Sequence, residues 1–161
     1  MNNSRHNSIR NTLIVLLLLL TVSCSTAFAA KGEAEFPSDL TIVAPEDNVP
    51  AALVPLIGKW SGKTNYGMDV KMAIEKIYFS GIGLMKIQVV YAWDNQYMEA
   101  GWSRQTASYD PANNVILFKV ANQSFAGAFH EFKIPKDNSN EIAGNWKFGR
   151  YNGTATMRRE K

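Results

Sequence analysis

From Ile57 to the C-terminus no stretch carries a convincing 3.6-residue apolar period, and short runs alternate apolar with polar residues and stop at turn signals. The first run, Ile57 to Tyr66, puts Gly58, Trp60 and Gly62 on one face. The second reaches from Val70 to about Phe79, with Val70, Met72 and Ile74 alternating against Lys71, Ala73 and Glu75. After the Ser80-Gly81-Ile82-Gly83 turn, Met85, Ile87, Val89, Tyr91 and Trp93 alternate with Leu84, Lys86, Gln88, Val90 and Ala92. Asp94-Asn95-Gln96 leads into a fourth run, Tyr97 to Tyr109, where Gly101 marks a bulge or kink. Asp110-Pro111-Ala112-Asn113-Asn114 is a turn by composition. The fifth run is Val115 to Val120 and the sixth Phe125 to Ile134, separated by Ala121-Asn122-Gln123. Beyond a polar loop from Pro135 to Asn140, the seventh is Glu141 to Phe148. Tyr151-Asn152-Gly153 then reads as a turn before the eighth, Thr154 to Arg159.

Eight strands on short connections, with no crossover helices, predict an all-β antiparallel meander. Eight is also the number that closes into a small barrel with room for side chains or one small ligand. The expected fold is therefore an eight-stranded antiparallel up-and-down barrel. A two-sheet sandwich is the alternative. Closure would remove the sheet edges that invite aggregation.

The segment before the strands reads differently. Arg5, His6 and Arg10 precede an apolar stretch from Leu13 to Val22, about ten residues long, the length of a signal h-region and too short to span a bilayer. Ala27-Phe28-Ala29 supplies a small-x-small cleavage site, so residues 1–29 are expected to be a signal peptide. A rival reading takes Thr21-Val22-Ser23-Cys24 as a lipobox, with Cys24 lipidated. Either reading makes the protein exported, as a periplasmic or secreted form or as a lipoprotein anchored through Cys24. Residues 30–52 form a polar tether punctuated by Pro37, Pro45 and Pro50, in which Leu40 to Val43 can lie along the domain. Asp47-Asn48 and the following Val49 to Val54 suggest a cap and a short helical turn that Pro55 ends. Residues 53–161 are the barrel domain.

Removing the leader's two Arg from the 17 basic residues leaves 15 against 14 acidic, so the pI near 9.0 carries no case for nucleic-acid binding. Cys24 is the only Cys, which leaves the domain without a disulfide and dependent on its core.

Leu56-Ile57-Gly58-Lys59-Trp60-Ser61-Gly62 resembles the opening strand of the calycin superfamily, which contains the lipocalins, the fatty-acid-binding proteins and the avidins. The resemblance implies that Trp60 closes one barrel end and that a basic residue of the last strand, Arg159 or else Arg158, packs across its indole. The layout and the Val89-Val90-Tyr91-Ala92-Trp93 strand look like a small bacterial lipocalin-like domain. No Thr-Asp-Tyr type motif and no C-terminal helix accompany them.

For chemistry, Tyr91, Trp93, Trp102, Tyr109 and Phe118 are candidates to line a ligand cavity, against ordinary core packing. Trp60 and Trp146 read as core. Arg104 shares the alternation of Met98, Ala100 and Trp102. Inward it would be a buried cation for a carboxylate or phosphate; outward, a surface charge. His130, the one His after the leader, is a further candidate, but its neighbour Glu131 points to the opposite face. No metal-ligand cluster, nucleophile elbow or phosphate loop is present in the sequence, and no cofactor is expected. The leading expectation is a monomeric, non-catalytic barrel for a small apolar molecule, with no nucleic-acid partner and a membrane only through Cys24. The alternatives are a protein-interaction, inhibitor or envelope assembly module with a packed barrel, and a small hydrolase or isomerase.

Overall fold

Eight strands hydrogen-bond in chain order into one closed antiparallel sheet: β1 (Gly58–Thr64), β2 (Asp69–Phe79), β3 (Met85–Asn95), β4 (Met98–Asp110), β5 (Val115–Lys119), β6 (Phe129–Lys133), β7 (Glu141–Phe148) and β8 (Tyr151–Arg159). The structure is a computed structural model and describes residues 33–80, 84–95, 98–121, 127–135 and 139–161. The expected signal segment with Cys24, the 81–83 turn, Gln96, the start assigned to the sixth strand at Phe125, and residues 136–138 lie outside that set. Strand β8 returns to β1 in a register running from Trp60↔Arg159 to Thr64↔Ala155, so the sandwich alternative does not apply.

The start of the last strand differs most from expectation among the described residues, for a local reason. The last hairpin turns at Gly149–Arg150 rather than at Tyr151-Asn152-Gly153, because Phe148 pairs directly with Tyr151 and the ladder continues through Trp146↔Gly153. Gly149, with φ 57°, supplies the positive φ that a two-residue hairpin connection needs, which outweighs the turn-like composition of the next three residues. Strand β6 runs from Phe129, and ahead of it Val120 N–H bonds Ala128 O at 2.9 Å and Gly127 N–H bonds Val120 O at 3.0 Å.

The helical turn ahead of the barrel also runs further than expected. Leu53 N–H bonds Pro50 O, Leu56 N–H bonds Leu53 O, and Val54–Leu56 is a 3₁₀ turn containing Pro55. Proline is tolerated there because the first-turn N–H has no intrahelical partner to lose. The turn delivers Leu53 and Leu56, both fully buried, onto one barrel end.

Trp60 closes that end. Its Nε1 donates to Leu56 O at 2.9 Å, and the Arg159 guanidinium lies 4.4 Å from its ring centroid while Nη1 donates to Ile57 O at 2.9 Å. Such a stack contributes about 0.5–2 kcal/mol. Gly58 makes it possible: its φ is 129°, and a Cβ there would sit 2.9 Å from Arg159 Nη1. Trp146 lies on β7 toward the other end, edge-on to Tyr66 of the β1–β2 turn at 5.8 Å. The two Gly-x-Trp triplets therefore place their indoles toward opposite ends of one barrel.

The interior follows from large-against-small pairing between neighbours. Ile87, Tyr91 and Trp93 of β3 face Ala107, Ser103 and Gly101 of β4, so the bulky rings occupy volume that the adjacent strand leaves open. The outside of β2 and β3 is also covered. Ala73, Val90 and Ala92 point outward yet are fully buried. The segment around Asp39 to Val43 lies along this wall: Val43 N–H bonds Glu75 O at 2.8 Å, at a bulge where β2 carries one residue more than β3. A bulge residue's carbonyl leaves the ladder and is free to accept an outside donor.

Candidate functional site

Inside the barrel, Tyr91, Phe118 and His130 meet. The His130 ring lies 4.4 Å from Tyr91, stacks on Phe118 at 5.1 Å, and is nearly coplanar in tilt with Phe132 at 6.2 Å. Alternation puts each of these side chains inward, and the register Phe118↔His130 sets two of them side by side. His130 is fully buried, and neither of its ring nitrogens has a hydrogen-bond partner among the described residues. The same holds for Tyr91 Oη and for both amide atoms of Gln105, which shares the inward face of Ser103 and Ala107.

This group is electrostatically quiet. Burial pushes the His130 pKa down to about 3, so the imidazole stays neutral at pH 7 and presents one donor and one acceptor. Burial likewise pushes the Tyr91 phenol up, keeping it a neutral hydroxyl. A buried polar atom with nothing to meet costs about 1–3 kcal/mol, so the unpartnered atoms of Tyr91, Gln105 and His130 are costly polar points among the inward side chains of β3, β4 and β6.

The other sequence candidates fall elsewhere. Trp93 is inward and buried, but its Nε1 donates to Glu99 O at 3.1 Å, closing the wall at the β3–β4 end. Tyr109 packs against the core edge, with its hydroxyl 3.3 Å from Asn114 Oδ1. Trp102 and Arg104 are on the outside of β4; Trp102 is exposed, and the Arg104 guanidinium lies 5.7 Å from its ring centroid. Arg104 is thus not a cation for an enclosed ligand. It donates Nε to Glu75 Oε2 at 2.9 Å and Nη2 to Glu75 Oε1 at 3.1 Å, and forks onto Asp39 at 2.9 and 3.1 Å. These bonds raise the Arg104 pKa further, and Arg104 holds the Asp39 carboxyl below its usual range. The pair is a clamp fastening the leading segment to the wall. The Asp39 arm is exposed and contributes little net energy, whereas Glu75 is buried and depends on Arg104 for its counter-charge.

Gln105 was not singled out from the sequence. Its signal was there: Gly101, Ser103, Gln105 and Ala107 form the small-residue phase of β4, which must face the large rings of β3. Among the described residues no three of His, Cys, Asp and Glu gather as metal ligands would. Glu131 pairs with Asn145 on the outer face, away from His130.

Among the described residues, grooves open on the outer wall. One of about 450 Å³ crosses β6, β7 and β8 near Trp146, one of about 280 Å³ runs between Glu33–Ala34 and β1–β2, and one of about 430 Å³ lies beside the β4–β5 turn. With this geometry, the chain was compared with protein-family models, curated proteins and solved structures, and no significant match was found in any of the three.

Proposed function

We propose that this protein is an exported, lipocalin-like barrel that binds one small, largely apolar and uncharged molecule in its interior, without chemistry on it. The observation that carries the reading is the set of polar atoms of Tyr91, Gln105 and His130, unpartnered among the described residues, on inward faces of β3, β4 and β6 made mostly of rings and aliphatic side chains. A ligand with one hydroxyl, carbonyl or amide would satisfy them, and an ionised group would find no counter-charge beside His130. A neutral His130 without a carboxylate partner favours binding over general-base catalysis. The lipocalin-like character rests on Gly58-x-Trp60 under Arg159, and export on the leader.

Native mass spectrometry of the purified mature protein tests the reading. A co-purifying neutral small molecule, lost in a His130→Phe variant, supports it. Repeated recovery of bare protein that takes up no neutral apolar probe overturns it. Intact mass of the exported form separates a start at Ala30 from lipidation at Cys24.

A second reading, an interaction module with a packed barrel, is supported by the grooves that open on the outer wall among the described residues. Bare protein together with a bound partner protein would favour it.

A further inference from the structure

The groove across β6, β7 and β8 is built unlike the rest of the outer wall. Tyr66, Phe129 and Trp146 bring three aromatic rings to it, while Asn65, Asn145 and Asn152 bring three carboxamides. The register explains the grouping: Phe129, Lys147 and Asn152 form one cross-strand row, and Glu131, Asn145 and Thr154 form the next. Tyr66, 68% exposed, stands at the lip with its hydroxyl donating to Asn152 O at 3.2 Å.

Trp146 supplies an independent pointer. It is only 8% exposed, yet its Nε1 donor has no partner among the described residues. Buried indole N–H groups ordinarily find an acceptor. Gly153, which also lines the groove, keeps the space beside that nitrogen open: a Cβ there would lie 2.8 Å from Nε1 and would press on Asn65 Oδ1.

We propose that this outer groove is a binding site for a short, uncharged saccharide. The apolar C–H face of a sugar ring stacks on an aromatic ring. The Asn145 and Asn152 carboxamides each offer a donor and an acceptor to neighbouring hydroxyls, and Asn65, whose Oδ1 already accepts from Thr154 N–H, offers its Nδ2 donor. The Trp146 N–H donates to a hydroxyl reaching in over Gly153. Other ligand classes fit poorly. Glu131 and Lys147 leave the groove with no net charge, against an anionic ligand or nucleic acid, whose recognition needs several cations. A peptide added as an extra strand needs a sheet edge, and the barrel has closed its own. The volume, about 450 Å³, is within the range of small-molecule sites. This site is distinct from the barrel interior, so its failure would leave the interior reading untouched.

The test is an NMR titration of the ¹⁵N-labelled mature protein with millimolar maltotriose, chitotriose and trigalacturonate, following the indole Nε1–H signals. At least one neutral trisaccharide should shift the Trp146 indole and the Asn145 and Asn152 side-chain amides, leaving the Trp60 indole in place. Tyr66→Ala and Asn145→Ala change exposed residues and should keep the native melting temperature while weakening binding by about fivefold to tenfold each. The proposal is overturned if no sugar moves the Trp146 indole, if trigalacturonate alone binds, or if both variants bind as the parent does.

Discussion

Trp60 and Trp146 occupy the same three-residue motif and have opposite fates. Trp60 is fully buried, hydrogen-bonded through Nε1 to Leu56 O, and roofed by Arg159. Trp146 also packs into the core, but its Nε1 lies beneath a groove with no partner among the described residues, and its ring meets the edge of an exposed Tyr66. The difference lies in what the chain brings to each end. One end receives the 3₁₀ turn from before β1 and the last strand's Arg; the other receives hairpin residues with polar tips. A Gly-x-Trp triplet thus seats an indole at a barrel mouth, and its neighbours decide whether the mouth becomes a seal or a surface.

The contrast can be broken by mutation. Trp60→Ala should destabilise the fold by about 3–5 kcal/mol in urea unfolding, because it deletes a large buried ring that nothing replaces. In the milder pair, Trp60→Phe strands a buried carbonyl while Trp146→Phe strands nothing. We expect the first to cost at least about 1–3 kcal/mol more than the second, and equal costs would erase the distinction.

The interior on the Trp146 side is sharpened by pH. The folded pKa of His130, about 3, lies below its unfolded value of roughly 6.5. Between the two the unfolded chain holds a proton that the folded chain does not, so stability falls as pH falls, by about 1.4 kcal/mol per pH unit, and stops falling below the folded pKa. Carboxylates titrate in the same window, so the readout is the difference from His130→Phe, in which this slope should vanish. A slope that survives unchanged would place the histidine in contact with water or a counter-charge.

Arg159→Met should follow, at about 1–2 kcal/mol in thermal or urea unfolding, removing the stack and the bond to Ile57 O while keeping the stem's packing. The smallest global effect is expected from Asp39→Ala, which removes only the exposed arm of the clamp. Its signature is local: amide exchange at Thr41 and Val43 should speed up while the barrel core keeps its protection.

The strands were legible because alternation at period two is dictated by a wall with one inner face, and β7 matches its expected limits at both ends. The stack of Arg159 on Trp60 was legible through resemblance alone, since nothing in two residues some hundred positions apart announces contact. The phase of β4 was not legible in isolation: Trp102 and Arg104 looked as fit for the interior as Ser103 and Gln105. Only the volume of the paired β3 rings decides it. The continuous apolar run Val89-Val90-Tyr91-Ala92-Trp93 carried a further signal, because a strand buried on both faces needs an outer cover. That cover is the segment clamped by Arg104 and Glu75.

The pairing of β8 with β1 also has a consequence in time. The hydrogen bond from Arg159 to Ile57 O spans 102 positions, so the first strand waits for the last before its outer ladder can form. Such long-range pairing slows folding, because loop-closure entropy must be overcome before the contact gives anything back. Strand β1 can pair with β2 early, but its other edge stays open until β8 arrives, so closure of the barrel is a late, all-or-none step.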